Sequence, residues 1–125
     1  MSAQWEPQDL AAIAAAEELQ ISSRRKDGSL SPPVTIWCVA LHGFVAVRSA
    51  YGADNGWYRR ALERGSGRIN AGGVERDIVL QPGDHLDHAL LDEEYRRKYA
   101  RFDDAIVRTV VGEHAHPLTL IATPA

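Results

Sequence analysis

Between Thr35 and Ser49, two runs of β-branched, aromatic and small apolar residues stand on either side of a two-residue link. Thr35-Ile36-Trp37-Cys38-Val39-Ala40-Leu41 reads as a largely buried strand, because such side chains suit a pleated, packed surface. His42-Gly43 then turns the chain into a second strand, Phe44-Val45-Ala46-Val47-Arg48-Ser49. A link this short allows antiparallel pairing only. A second hairpin is predicted from Arg68–Ala71, Gly72-Gly73 and Val74–Leu80, where the glycine pair suits a turn with positive φ at both central residues. Leu19-Gln20-Ile21-Ser22 and the stretch 117–123 add further strands. An antiparallel sheet of this kind has free edges, and closing or half-closing it into a small barrel removes most of them.

Three helical regions are predicted around the sheet. The first covers 7–18 and starts at Pro7, whose missing N–H costs little in a first turn; Leu10, Ile13, Ala14 and Glu17 follow one face. A short helix over 57–64 lies between the Gly52–Gly56 loop and Gly65. Asp84 is a candidate N-cap for a third region over 85–111, which restarts at Asp103-Asp104. The expected architecture is α+β: an N-terminal helix, hairpin strands over 19–81 with a short inserted helix, a long C-terminal helix, and a closing strand. With 125 residues, 45% hydrophobic and 25% charged, the sequence suits one globular domain over 1–125.

A formal net charge of −3 argues against general nucleic-acid binding, where a basic face dominates. Cys38 is the single cysteine, so no internal disulfide can form, and its apolar setting suits a small buried hydrophobe better than a nucleophile. The stretch Met1–Pro7 lacks the pattern of a signal peptide, and no run approaches the roughly 18 apolar residues of a membrane span. A cytoplasmic location without a membrane partner is expected.

Four places could carry chemistry. Arg24-Arg25-Lys26-Asp27-Gly28 sets cations beside a glycine turn, which can grip phosphate or form a solvated hairpin tip. Arg48 shares a strand face with Phe44 and Ala46, so it needs either a structural carboxylate or an anionic ligand group. Trp57-Tyr58-Arg59-Arg60 offers stacking surface and charge near helical N–H groups; equally, Trp57 can plug the barrel end. Leu91, Tyr95, Tyr99 or Phe102, and Ile106 follow helical spacing, a core face first and a substrate pocket second. His85, His88, His114 and His116 lack a recognised zinc spacing, and no Ser/His/Asp constellation can be nominated. Gly65-Ser66-Gly67 follows a helix and has Asn70 where a dinucleotide fingerprint has its third glycine.

Ile36-Trp37, Val47-Arg48-Ser49, Trp57-Tyr58-Arg59-Arg60, Gly67-Arg68-Ile69 and Tyr95-Arg96-Arg97-Lys98-Tyr99 resemble the bacterial domain of unknown function 2255 over residues 19–124. More distantly, Ser22–Gly28, Val47-Arg48-Ser49-Ala50-Tyr51-Gly52 and Gly56-Trp57-Tyr58 resemble deazaflavin-dependent nitroreductase-like proteins of the FMN-binding split-barrel superfamily. The resemblance implies a six-stranded antiparallel split β-barrel, a homodimer, and FMN or a deazaflavin held between barrel and neighbour. It implies cofactor contacts from Arg24, Arg25, Lys26, Trp37, Arg48, Ser49, Trp57, Tyr58 and Arg59. Arg25 and Lys26 would meet the phosphate tail, and Arg48, Ser49 and Trp57 the tricyclic ring. Tyr95 or Tyr99 would line the side of a small organic substrate reduced by hydride transfer. This chain departs from the nitroreductase-like pattern in two ways: an arginine near Ser31 is missing, and Arg59-Arg60 replace Asn-Leu. The competing readings are a cofactor-free binding module and a cofactor-independent enzyme on the same barrel.

Overall fold

The computed structural model describes residues 4–50 and 52–125; Met1–Ala3 and Tyr51, the latter part of the resembling motif, lie outside the described residues. The elements are α1 (Pro7–Ala15), β1 (Leu19–Ser23), β2 (Val34–Ile36), β3 (Cys38–Leu41), β4 (Phe44–Arg48) and α2 (Gly56–Arg64). Then follow β5 (Ser66–Ala71), β6 (Val74–Pro82), α3 (His88–Lys98), α4 (Asp104–Val107) and β7 (Thr119–Pro124), with 3-10 turns at Arg108–Val110 and His116–Leu118. The strands form one antiparallel sheet of seven, ordered β2-β1-β5-β6-β7-β4-β3.

The seventh strand comes from a break at Trp37. Val34–Ile36 pairs with β1, Ile36 facing Leu19, whereas Cys38–Leu41 pairs with β4, Cys38 facing Val47. The stretch that reads as one strand therefore serves both edges of the sheet, and this single segment curls it into a nearly closed split barrel. Two tight turns hold the register. His42 and Gly43 have φ of 52° and 85°, and Gly72 and Gly73 have 58° and 84°. Positive φ at both central residues gives the backbone twist that matches antiparallel strands.

Strand alternation sends β4 into two cores. Val45 and Val47 point into the barrel with Leu19, Ile21, Ile69, Ile78 and Leu120. Ala46 points outward against Leu91, Tyr95 and Tyr99 from the α3 region. Burying each large aliphatic side chain contributes about 1.5–3 kcal/mol, so the two cores fix α3 against the strand that carries Arg48. Trp5 pins the N-terminal segment to β7, its indole donating to the Ala122 carbonyl at 3.0 Å.

The first and third helical regions are shorter than the sequence pattern predicts, whereas α2 matches it. α1 stops at Ala15 because Ala16 is already extended (φ −74°, ψ 129°), leading the chain toward β1. Asp87, not Asp84, caps α3: its carboxylate accepts from the Leu90 N–H at 3.2 Å. The region 85–111 does not form one helix, since α3 ends at Lys98 and Asp103 is non-helical before α4. The break lets two rings meet Trp37: Tyr99 stacks on it at 3.9 Å between centroids, and Phe102 tilts against it at 4.9 Å. Among the described residues, no helix is long and apolar enough to cross a membrane.

Candidate functional site

Arg48 ends β4 on the face turned toward α3 and is only 1% exposed. Its Nε donates to Thr119 Oγ1 at 2.9 Å, and Nη1 to Asp92 Oδ1 at 2.5 Å and the Val110 carbonyl at 2.7 Å. Nη2 lies 3.0 Å from His88 Nδ1. The other His88 nitrogen lies 2.9 Å from the Asp84 carbonyl, which can only accept. His88 therefore carries its proton on Nε2 and accepts from Arg48 through Nδ1. His116 stacks on His88 at 4.4 Å, and its Nε2 lies 3.1 Å from Asp92 Oδ2. Burial pushes the Asp92 carboxyl up, but hydrogen bonds from Arg48, His116 and the Gly112 N–H outweigh it and hold it below its ordinary value. The buried cation thus has a structural carboxylate, one of the two options its strand face leaves open.

Arg48 also forms part of a pocket wall. The pocket encloses about 220 Å³ between the β2–β3 break, the end of β4, the start of α2 and the α4 region. Its apolar wall includes Ile36, Trp37, Ala50, Trp57, Ile106 and Val110, and Thr35, Arg48, Asn55 and Thr109 supply polar groups. The structure thus brings Trp37, Arg48 and Trp57 together, although they are widely spaced in sequence. Each arrives for a local reason: Trp37 sits at the strand break, Arg48 at a strand end, and Trp57 in the first turn of α2.

The other candidate residues do not line this pocket. Arg24 donates to the Gly28 carbonyl at 3.0 Å and lies 3.5 Å from Asp77, bracing its own turn. Arg25 and Lys26 are exposed on that turn, whose base is tied to α2 by Ser23 Oγ donating to the Trp57 carbonyl at 2.8 Å. Ser49 donates to the Gly52 carbonyl at 2.6 Å, and Tyr58 to that of Pro117 at 3.1 Å. Arg59 is exposed. Tyr95 and Tyr99 are buried, and burial raises both phenols, Tyr95 well above its ordinary value. Tyr99 also accepts from the Cys38 N–H at 3.1 Å and donates to the Glu17 carbonyl at 2.8 Å. These contacts make the two tyrosines part of the packing beneath the pocket. Burial likewise raises the Cys38 thiol, leaving little thiolate for nucleophilic chemistry.

The family model for uncharacterized proteins conserved in bacteria (DUF2255) matches residues 9–121. The chain belongs to this family. The DUF2255 chain is also similar in fold to solved structures of low sequence identity. A conserved hypothetical protein, Rv2991 from Mycobacterium tuberculosis, aligns with a TM-score of 0.59 at 9% identity, covering 99% of this chain and 81% of that one. A protein described as a domain-swapped dimer gives 0.57 at 14%, covering 86% and 79%. An F420 reductase gives 0.54 at 9%, covering 92% and 91%. The curated proteins contain no match.

Sequence reasoning missed several residues of this DUF2255 site. Asp92 and His88 stand four apart on α3, the spacing of one helix face, and that pair was the available sign of a partner for Arg48. Asn55, Thr109 and Ile106 carried no such sign. The exposed Ile106 reaches the pocket because the helix breaks after Lys98. Near the place where the nitroreductase-like pattern has an arginine, Ser31 is 3% exposed and accepts from the Ser23 N–H at 3.0 Å, which fastens the base of the basic turn.

Proposed function

We propose that this chain, as one split-barrel domain over residues 1–125, binds the planar ring of FMN or a deazaflavin and acts as a cytoplasmic reductase of a small organic molecule. The observation that carries the reading is the convergence of Trp37, Trp57 and the Arg48 guanidinium on one largely apolar pocket. The residues suit such a ring. The half-buried Trp37 supplies flat apolar surface, and Trp57, 1% exposed, closes the wall from the barrel core. Arg48 has one Nη2 hydrogen beyond the four contacts named above, able to meet a ring carbonyl. Because Asp92 already balances the charge, this donor favours a neutral acceptor over a buried anion.

Bound there, the cofactor would supply hydride transfer, while the protein orients it and limits access of water. Pockets that enclose drug-sized ligands measure roughly 300–1,000 Å³. A pocket of about 220 Å³ takes the ring and leaves the tail outside. A second copy would cover the open side, in keeping with the domain-swapped dimer among the similar structures. The same small volume favours a second reading, a cofactor-free module for a smaller aromatic molecule.

Titration with FMN and with a deazaflavin, followed by tryptophan fluorescence, tests the proposal. Wild type should bind one of them with a dissociation constant below about 1 mM, roughly 4 kcal/mol, and Ala50→Leu should abolish binding by filling the pocket. Failure of both ligands to bind wild type removes the reductase reading and leaves the smaller-ligand module.

A further inference from the structure

We propose that Lys98 is a covalent binding site for a small aldehyde carrying a carboxylate, which it holds as an imine in a second pocket. This pocket encloses about 280 Å³ between the ends of α1 and α3, and Glu17, Arg97, Lys98, Tyr99 and Arg101 form most of its wall. It shares no lining residue with the ring pocket, and its chemistry is independent of the flavin reading.

Lys98 is the last residue of α3 and is half-buried. Its Nζ donates to the Cys38 carbonyl at 2.7 Å, and it lies 3.6 Å from Cys38 Sγ and 5.2 Å from the centre of the Tyr99 ring. Among the described residues Lys98 makes no ion pair, whereas both arginines of the wall do, Arg97 with Glu94 and Arg101 with Glu17. An ammonium group drawn from water without a carboxylate releases its proton more readily, and the amine it leaves is a nucleophile. Burial pulls the Lys98 ammonium below its ordinary value, outweighing Cys38 and Glu94, which favour the charged form. Because burial also raises the Cys38 thiol, that group stays uncharged near neutrality and its opposition weakens.

The wall sets the class of ligand. Pockets for drug-sized molecules start at roughly 300 Å³, so this one suits a small compound. Arg97 uses Nε and Nη2 for Glu94, and Arg101 uses Nη2 for Glu17, which leaves other N–H groups to grip a carboxylate. The Nζ lone pair adds to the aldehyde carbon, and one amine proton passes to the aldehyde oxygen. Loss of that hydroxyl with the second amine proton, as water, leaves the C=N bond.

The test uses glyoxylate with cyanoborohydride, which reduces the imine to a stable carboxymethyl amine that peptide mass mapping locates. The sequence holds two lysines, and the exposed Lys26 is an internal control. Near pH 7, Lys98 should label faster than Lys26 by about tenfold or more. Its rate should saturate with glyoxylate, while that of Lys26 rises linearly. Acetaldehyde, which lacks the acid group, should give a smaller preference for Lys98. Labelling of Lys98 no faster than that of Lys26 is the result for an amine that only serves the Cys38 carbonyl, and it overturns the proposal. A linear dependence at Lys98, or an equal preference with both aldehydes, overturns it as well.

Discussion

Arg48 lines the pocket and Arg60 sits one turn beyond Gly56 on α2, and the protein treats their charges in opposite ways. Arg48 is surrounded by Thr119, Asp92, Val110 and His88, and every one of its nitrogens has a partner. Arg60 has a buried Nε with none, and it lies against the positive end of a helix. The first arrangement holds α3 to the barrel; the second leaves a partly buried guanidinium without an ion pair among the described residues. The comparison teaches that burial alone does not tell a braced cation from an unpartnered one: what matters is whether the surrounding residues satisfy the group.

The largest expected effect breaks the structural half of the comparison. Asp92→Ala leaves the Arg48 charge buried without its carboxylate, and should cost about 3–5 kcal/mol in urea unfolding. Replacing both partners, Arg48→Met with Asp92→Leu, should recover most of that loss, since an apolar pair leaves no charge uncompensated. A double variant as unstable as the single one would mean that the cluster does more than neutralise Arg48.

A smaller loss is expected on the same side from Tyr99→Phe. The Tyr99 hydroxyl serves the Cys38 N–H and the Glu17 carbonyl, and leaving such buried groups unpaired costs about 1–3 kcal/mol. Acid should then sharpen the contrast. The Asp92 carboxyl is held below its ordinary value in the folded protein, so its contribution is present above about pH 3.9 and is lost as pH falls through the lower folded value. Below about pH 4, wild type should lose stability more steeply than Asp92→Asn, measured as denaturant midpoint against pH. The smallest effect belongs to the other arginine: Arg60→Gln should change unfolding stability by no more than about 0.5 kcal/mol, because it removes no partnered contact.

Much of the sheet was legible in the sequence because turns and alternation are local signals. His42-Gly43 and Gly72-Gly73 marked both hairpins, and β4 alternates as Phe44, Ala46 and Arg48 suggest. The break at Trp37 was not legible, since nothing in an unbroken apolar run marks where pairing changes from one edge strand to the other. That Arg48 needed a partner could be read from its strand face. Which partner could not, because Asp92 lies 44 residues away and is brought into place by the packing of α3 on Ala46. Trp57 stood out beside Tyr58 and two arginines and Trp37 through resemblance, while Asn55, Thr109 and Ile106 join them only through loop and helix ends that no periodic pattern specifies.

The chain has three tryptophans, and they report on the central claim separately. Trp37 and Trp57 line the pocket, whereas Trp5 is tied to Ala122 on β7. The most direct measurement is an NMR titration of the three indole N–H signals with FMN, each signal assigned by a Trp→Phe variant. The Trp37 and Trp57 signals should move together and saturate while Trp5 stays in place. Saturable binding that moves Trp5 and leaves the other two unchanged would contradict the account.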